Sequence, residues 1–552
     1  MTSPTPPITC FGPDFPFDYP AWITHPAGPA TVPERNHGTP VAVVGAGIAG
    51  VVAAHELMKL GLRPVVYEAG RMGGRLRSQR FGAADDVIAE LGGMRFPISG
   101  RAFFHYADLV GLETRPFPNP LTPAAPTTRV DLEGITHYAE SLDDLPELFR
   151  EVAVAWDEAL ETHADFTGIQ DAMRRKDHAE VRRRWALLVD QWDDRTFYDF
   201  VASSDSFQRL SWRHREVFGQ VGFGTGGWDS DFPNSMLEIL RVVLSRFDED
   251  QRLIVGGAEQ LVRRLWAQPA DSAAHWPPGT SLDGLHSGAP RPGVAAIRRA
   301  SDGDIAVVDV NGVERRYPAV LVTTQSWLLT TNIDVEEGLF SQKHWMALDR
   351  TRYMQSSKTF VMVDRPFWKD KDAAGRDVMS MTLTDRNTRG TYLFDNGPDQ
   401  PAVICLTYAW MSDAMKVLPK SAAERARLAL DTLAKIYPDV DINSHVIGEP
   451  ITVSWETDPN FLGAFKGALP GHYRYNNRMY GHFMQADMDP AHQGMFLAGD
   501  DVSWTPGWAE GAVQTALNAV WGIMTHLGGA TDPANPGPGD VWPERHPVVL
   551  PE

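Results

Sequence analysis

One segment near the N-terminus limits most strongly the folds open to this chain. A β-branched run at residues 41–44 leads directly into Gly45-Ala46-Gly47-Ile48-Ala49-Gly50, and ten residues with helical spacing follow. A second apolar run then ends at Glu68. Glycines in such a turn let the backbone approach a diphosphate, and an acid after the second strand can hold ribose hydroxyls. We interpret residues 40–68 as a βαβ unit that binds a dinucleotide, either FAD or NAD(P).

Two further glycine-rich segments favour FAD. Arg71-Met-Gly73-Gly74-Arg75 follows Glu68 closely, and a glycine pair between arginines suits the other side of a diphosphate. Near the opposite end of the 552-residue chain, residues 494–501 predict a strand that ends in glycine and acid. The helix predicted over 512–527 can stabilise negative charge on a flavin through its N-terminus. A chain that returns to its first domain in this way is typical of FAD-dependent oxidoreductases.

The rest of the sequence predicts the other parts of the fold. Apolar residues recur with helical spacing in residues 140–250, whereas strands dominate from Val294 onward, with a hairpin at Ser301–Asp304. We expect an α/β (α+β composite) fold, with a Rossmann-like FAD-binding domain, an interleaved mixed-sheet substrate domain and a helical subdomain. The expected boundaries are 1–39 for an N-terminal arm, 40–100, 250–340 and 465–530 for the discontinuous FAD-binding domain, 101–249 for a largely helical subdomain with part of the substrate pocket, 341–464 for the mixed-sheet substrate-binding domain and 531–552 for a C-terminal tail.

Composition excludes several classes of protein. The net charge of −20 argues against a nucleic-acid or anionic-membrane partner, because both need a basic surface. The two cysteines, Cys10 and Cys405, can form neither a disulfide framework nor a thiolate metal cluster, and we expect no metal. We also find no apolar run long enough to span a membrane and no signal peptide, so we expect a cytoplasmic protein.

The first forty residues combine ten prolines with aromatic side chains between Phe11 and Trp22. Disordered segments are poor in aromatic residues, so we expect an extended arm that packs on the body or on a second subunit. A removable pro-segment is the alternative. Such an arm favours a homo-oligomer, a dimer or larger.

Five motifs, in this order along residues 38–530, together resemble the flavin monoamine oxidase family. They are Gly45–Gly50, Gly73-Gly74-Arg75, Glu90-Leu-Gly-Gly-Met-Arg95-Phe-Pro97, Ser356-Ser-Lys358 and Gly511-Ala-Val-Gln-Thr-Ala-Leu-Asn518. The chain is most similar to the bacterial branch of L-amino acid oxidases and 2-monooxygenases. Within that branch it resembles L-lysine 2-monooxygenase, and more distantly tryptophan 2-monooxygenase, through Phe11–Phe17, Trp228–Pro233 and Gly463–Gly467.

The resemblance implies roles for individual residues. Arg95 would bind the substrate carboxylate, Tyr408 would add a hydroxyl to the same group, and Lys358 would hold a water against flavin N5. The alternative roles of Arg95 are diphosphate binding and a structural ion pair. The alternative for Tyr408 is a structural tyrosine in the core or on an edge strand. Aromatic residues would wall the pocket, and these are Trp455, Phe465 and Trp508.

The resemblance also implies FAD without a covalent bond, and O2 as co-substrate. The residues expected to bind FAD are Gly45, Ala46, Gly47, Ala49, Gly50, Glu68, Ala69, Gly74, Arg75, Gly93, Met94, Arg95, Gly499, Asp500, Trp508 and Ala509.

The expected substrate specificity depends on Asp231 first and Asp229 second. In this family the segment faces the substrate side chain, where a carboxylate is costly to bury without a cation. A lysine, arginine or ornithine side chain would supply that cation. The alternative is an aspartate that caps the helix predicted from Pro233. Phe247 is bulkier than expected in lysine-selective relatives, which leaves the pocket length open.

The reaction implied is hydride transfer from Cα to flavin N5. Retention of the imino acid then gives an amide, CO2 and water, as in a 2-monooxygenase, whereas early release gives a 2-oxo acid, ammonia and peroxide, as in an oxidase. We favour the monooxygenase acting on lysine. An aromatic-selective monooxygenase, an amine oxidase of carboxylate-free substrates and a nucleotide-fold protein without catalysis are the alternatives.

Overall fold

A computed structural model describes residues 8, 12–82, 87–221, 233–270 and 275–551. Its centre is a parallel five-stranded sheet, in the order Arg291–Pro292, Arg63–Glu68, Pro40–Val44, Val320–Val322 and Met495–Leu497. Pro40–Val44 therefore pairs with its sequence neighbour on one side and with Val320–Val322 on the other. The chain does return to its first domain, as the separated glycine-rich segments predicted.

Both faces of the central sheet are covered, which explains why its strands are apolar throughout. Val41, Val43 and Leu321 pack with helices Ile48–Lys59 and Ala509–His526 on one face. On the opposite face, Val44 and Val320 share a cluster with a four-stranded sheet. That sheet has the order Glu314–Tyr317, Ile305–Asp309, Val294–Arg299 and Asp334–Val335. The hairpin predicted at Ser301–Asp304 is confirmed, because Arg299 pairs with Ile305.

A second large part of the described chain, expected to bind the substrate, is built on a seven-stranded mixed sheet. Its order is Val446–Ser454, Ser356–Val363, Ala402–Trp410, Gly390–Phe394, Met381–Thr384, Thr128–Leu132 and Ile135–Ala139. Helix Ala422–Ile436 packs on one face through Leu433 against Val361 and Ile404. The opposite face, with Phe360 and Cys405, meets Leu91 and Met94 of the first domain. The expected helical segment 101–249 therefore also contributes two strands to this sheet.

Helices make up most of the segment between those two strands and residue 249. Within the predicted helical region, residues 166–192 form two helices, because Lys176 adopts a left-handed conformation with φ of 56° between them. The helices here are Glu147–Ala164, Phe166–Arg174, His178–Trp192, Phe197–Ser203, Asp205–Gln208, Trp212–Val221 and Met236–Leu244.

Smaller elements complete the described chain. The short strands form one three-stranded and two two-stranded sheets: Phe96–Pro97, Gln251–Ile254 and Thr114–Pro116; Ser78–Arg80 and Ile88–Glu90; Tyr353–Met354 and Phe465–Lys466. The other helices are Tyr19–Ile23, Arg101–Leu109, Gln260–Ala267, Leu282–His286, Leu328–Thr331, Gln342–Arg350, Met411–Lys416, Tyr473–Tyr480 and Trp542–Arg545. No described helix combines the length and apolar character that crossing a membrane requires.

The arm from Gly12 onward packs on the body of the same chain. The Tyr19 hydroxyl donates to Asn518 Oδ1 over 2.8 Å. Asp14 forms a fully buried ion pair with Arg241, whose Nε lies 2.6 Å from Asp14 Oδ2. Breaking one side of such a pair leaves an uncompensated buried charge, which costs about 3–5 kcal/mol. The arm is therefore an integral part of the folded domain.

Candidate active site

The glycine turn after the first strand shapes a nucleotide-binding cavity. Gly45 has a φ of 110°, in the region that favours glycine, and a Cβ on Gly50 would lie 2.0 Å from Gly45 O. By contrast, a Cβ on Gly47 would meet no atom within 4 Å, so open space lies in front of this backbone. Close packing on one side and free space on the other is what a turn against a diphosphate requires.

Glu68 closes the other end of the turn. Its carboxylate accepts hydrogen bonds of 2.8 Å from the backbone N–H groups of Ala46 and Gly70. Burial raises its pKa, and these two N–H groups oppose that rise by favouring the charged form. Each oxygen retains a lone pair for a ribose hydroxyl. The side chain therefore lines the cavity with acceptor capacity to spare, and its contact with a ribose stays a prediction.

Arg75 reaches across to the C-terminal part of the domain. Its guanidinium forms an ion pair with Asp500 and also donates to Ala464 O over 3.1 Å. Asp500 in turn accepts from the N–H of Gly507 over 3.0 Å. Because Arg75 is already paired, its position favours holding the two halves of the cavity together. Trp508 follows directly and precedes helix Ala509–His526.

These residues surround a cavity of about 380 Å³. Of the residues expected to bind FAD, thirteen line it: Gly45, Gly47, Ala49, Glu68, Ala69, Gly74, Arg75, Gly93, Arg95, Gly499, Asp500, Trp508 and Ala509. The remaining three lie behind the lining. Ala46 donates to Glu68, Gly50 packs against Gly45, and Met94 is buried in the core below.

Lys358 enters the same cavity from the seven-stranded sheet. Its Nζ donates to Glu90 O over 3.0 Å and to Gly92 O over 2.5 Å, which leaves one of three N–H groups. Burial lowers the pKa of this ammonium to about 8. A lysine with that pKa changes its charge close to neutral pH, as a group that moves protons must.

Arg95 and Tyr408 lie side by side next to Lys358. Tyr408 is directly opposite Lys358 in the antiparallel register, and its ring centroid lies 4.8 Å from Lys358 Nζ and 5.5 Å from the Arg95 guanidinium carbon. Arg95 is half-buried, and no carboxylate of the described chain comes within 4.0 Å of it. An arginine in this state is a ready site for an anionic group of a ligand.

A second cavity, of about 1030 Å³, shares Arg95, Phe465 and Trp508 with the first. Its aromatic wall includes Trp410, whose ring lies 5.4 Å from Phe465. Phe247 is fully buried and packs on Trp508 with 4.8 Å between ring centroids, behind the cavity surface. Trp455 lines only the smaller cavity, where its Nε1 donates to Leu91 O.

The residues predicted from the sequence and the residues that line the two cavities differ in part. Asp229 and Asp231, on which the specificity argument depended, lie outside the described residues. Conversely, sequence reasoning missed Asn234 and Glu238, which line the larger cavity without belonging to a motif, and it gave no role to Lys466, which lies within the motif Gly463–Gly467. Thr323 lines the smaller cavity. It could have been found, since it follows a strand whose carboxyl end meets the dinucleotide turn.

Comparison with known proteins identifies the family. Residues 48–524 match the model of flavin containing amine oxidoreductases. The chain belongs to this family. Family membership implies a bound FAD, a dinucleotide for which the glycine turn and the acceptor oxygens of Glu68 are suited.

Individual relatives agree with that assignment. The chain is 31% identical to a tryptophan 2-monooxygenase of Pseudomonas savastanoi, over 95% of this chain and 96% of the relative. An L-amino-acid oxidase of Siganus canaliculatus is 24% identical over 89% of this chain and 86% of that protein. Among solved structures, cyclohexylamine oxidase from Brevibacterium oxydans IH-35A has a TM-score of 0.64 at 19% identity, covering 89% of this chain and all of that one. The last comparison establishes the fold.

Proposed function

We propose that this protein is an FAD-dependent L-amino acid 2-monooxygenase whose substrates are basic amino acids, lysine first. The observation that carries the amino acid assignment is Arg95, which faces both cavities and has no carboxylate partner among the described residues. An amine without a carboxylate would leave this cation unmatched. The two sequence relatives, whose names specify amino acid substrates, support the same choice.

In the proposed reaction an L-amino acid and O2 give the amide with one carbon fewer, CO2 and water. FAD supplies the two-electron chemistry and the reaction with O2. The protein orients the substrate, because Arg95 and the Tyr408 hydroxyl bind its carboxylate and so fix the direction of Cα–H. Lys358 Nζ lies 4.8 Å from the centre of the Tyr408 ring. In this proposal it accepts a proton from the substrate ammonium, directly or through one water. The rings of Phe465, Trp410 and Trp508 keep bulk water from the reacting carbon.

The basic side chain is the finer part of the proposal. It is supported by the acidic residues Asp229 and Asp231 in the sequence just before helix Met236–Leu244. A second candidate, a monooxygenase selective for phenylalanine or tryptophan, is favoured by the aromatic wall and by the tryptophan 2-monooxygenase relatives. An L-amino acid oxidase differs from both only in releasing the imino acid early.

One assay separates these activities. We would incubate the purified holoenzyme with lysine, arginine, ornithine, phenylalanine or tryptophan, and follow O2, peroxide and product mass together. Amide formation from a basic amino acid with little peroxide is the expected result. Peroxide equal to the O2 consumed would mean an oxidase, and turnover confined to phenylalanine and tryptophan would remove the basic-substrate proposal.

We propose that FAD is bound without a covalent bond. No cysteine or histidine of the described chain lines the smaller cavity, and burial raises the pKa of the Cys405 thiol to about 12, which makes it a poor nucleophile. Acid precipitation should therefore release all of the yellow colour into the supernatant. Colour that stays with the precipitated protein would contradict this.

A further inference from the structure

Helix Met236–Leu244 places an unusual carboxylate in the wall of the larger cavity. Glu238 is 8% exposed and faces this cavity together with Asn234. Its Oε1 accepts from the N–H of Ala468 over 2.7 Å, and its Oε2 accepts from Asn234 Nδ2 over 2.8 Å. Each oxygen therefore keeps one lone pair that none of these bonds uses.

Two of the three cations around Glu238, Arg241 and Lys466, have closer partners. Arg241, one turn along the same helix, is paired with Asp14. Lys466 donates to Asp501 O over 2.6 Å, and the Asp501 charge acts on it more strongly than that of Glu238. The charge of Glu238 also acts on Arg352, where it opposes the lowering of the pKa by burial, and Arg352 Nη1 is buried without a hydrogen-bond partner. Within the described chain no cation lies within 4.0 Å of Glu238, so its carboxylate is buried without a contacting counter-charge.

Two further oxygens, in residues that line the same cavity, have no hydrogen-bond partner. Asn234 is 3% exposed, and its Oδ1 is left over because its Nδ2 must point to Glu238. Thr505 is 4% exposed, and its Oγ1 is also buried without a partner. Both residues line the same cavity as Glu238. Buried polar atoms are normally satisfied, so three acceptors with unused capacity among the residues that line one cavity point to a ligand with several N–H donors.

We propose that Glu238, Asn234 Oδ1 and Thr505 Oγ1 bind the terminal cation of the substrate side chain, an ammonium or a guanidinium. This assignment rests on the proposed function, since it needs a basic amino acid whose carboxylate is held by Arg95 in the same cavity. An ammonium has three N–H donors and a guanidinium five, which suits this set of acceptors. Glu238 then receives a counter-charge in direct contact, in addition to the more distant charges of Arg241 and Lys466.

The charge state of Glu238 gives the site a pH dependence. Burial raises the pKa of this carboxyl to about 7, against the opposing effects of the Ala468 N–H, Arg241, Lys466 and Asn234. A bound cation favours the charged carboxylate, so basic substrates bind more weakly as the pH falls below 7. A neutral side chain has no such dependence on Glu238.

The test is Glu238→Gln, assayed with lysine, with arginine and with norleucine, which is lysine without its terminal amine. The new amide can still accept from Ala468 N–H, and the Asn234 amide can turn to accept from it, so the variant retains its local hydrogen bonds. We expect kcat/KM for lysine or arginine to fall about 10- to 100-fold, as for a lost bond to a charged group, with norleucine within about 3-fold. The lysine-to-norleucine ratio should also lose its change near pH 7.

Glu249→Gln is the matched control. Glu249 belongs to the same cavity wall but is ion-paired with Arg246 and 47% exposed. The Glu249→Gln variant removes one negative charge and leaves the proposed acceptors in place. It should keep the lysine-to-norleucine ratio of kcat/KM within about 2-fold of the wild type. Asn234→Ser is the second variant, because it keeps Glu238 and removes only the amide group. It should lower the ratio about 5-fold, by the loss of one hydrogen bond.

The outcomes separate this inference from the function on which it rests. Wild-type enzyme that prefers norleucine to both lysine and arginine would overturn the basic-substrate proposal, and this inference with it. Wild-type enzyme that prefers a basic amino acid, together with an unchanged ratio in Glu238→Gln, would overturn this inference alone. The three oxygens would then be satisfied by ordered water. Arginine affected more strongly than lysine would identify a guanidinium, and the reverse an ammonium.

Discussion

The two cavities that meet at Arg95 are built in different ways. The smaller one is arranged around backbone features, namely the glycine turn at 45–50 and the carboxyl ends of parallel strands. The larger one is formed by side chains from distant parts of the chain, among them Asn234, Trp410 and Phe465. Substitutions in the smaller cavity should therefore weaken FAD binding. Substitutions in the larger cavity should change substrate preference while FAD stays bound.

The largest effect is expected for Gly50→Ala, which tests the backbone side of this comparison. The added Cβ would lie 2.0 Å from Gly45 O, so the turn must move, at a cost of about 1–3 kcal/mol or more. We expect protein purified without yellow colour and with a lower melting temperature. Gly284→Ala is the control, since its Cβ would have 3.7 Å to the nearest atom. A yellow, fully active Gly50→Ala variant would contradict the role of the turn.

Arg95→Ala tests whether the shared residue serves substrate or cofactor. Loss of a charged carboxylate contact should lower kcat/KM for amino acids about 100- to 1,000-fold while FAD stays bound. Flavin absorbance and steady-state kinetics measure the two effects separately. Arg298→Ala, at an exposed ion pair with Asp334, should change neither. Colourless Arg95→Ala protein would instead assign Arg95 to the diphosphate.

Lys358→Met is expected to lower the rate at which substrate reduces the flavin under anaerobic conditions by about 100-fold. The pKa of Lys358 is about 8, so the neutral form that accepts a proton is lost as the pH falls below 8. The wild-type rate should therefore rise with pH through about 8, and the variant should lack this rise. Stopped-flow absorbance between pH 6 and 10 measures both. An identical rise in the variant would assign that ionisation to another group.

The smallest effect is expected for Phe247→Leu. Phe247 supports Trp508 from behind the cavity surface, and a smaller side chain lets the wall retreat. We expect the arginine-to-lysine ratio of kcat/KM to rise about 3- to 10-fold, as for a change of a few carbons in a pocket. Phe340→Leu makes the same change in a buried ring outside the cavity, and its ratio should stay constant. A constant ratio in both variants would exclude Phe247 from control of pocket length.

The same contrast explains what could be predicted from the sequence. The βαβ unit ending at Glu68 depends on neighbouring residues, so its spacing revealed both fold and ligand class. The strands Thr128–Leu132 and Ile135–Ala139 were missed, because their place at the edge of a seven-stranded sheet depends on Met381–Thr384, which is distant in sequence. Lys358 was found only by resemblance, since a lysine in a strand is ordinarily a solvated charge.

Glu238 could not have been found from the sequence at all. A glutamate in the first turn of a helix ordinarily stabilises that helix through its dipole, and nothing in the sequence says that it is buried. Its chemistry arises from three segments that meet only in the folded chain, around Asn234, Lys466 and Thr505. Asp229 and Asp231, which the sequence did single out, remain a prediction.

The order of strands in the central sheet has a consequence for biosynthesis. Pro40–Val44 leaves the ribosome early, but Val320–Val322 and Met495–Leu497, which complete its sheet, emerge much later. The hydrogen bond from the Tyr19 hydroxyl to Asn518 Oδ1 likewise cannot form until Asn518 has been synthesised. Contacts of such high sequence separation form slowly, and until then unpaired strand edges are open to aggregation. A chain released early, or shortened before helix Ala509–His526, would therefore be a substrate for chaperones and proteases rather than a smaller enzyme.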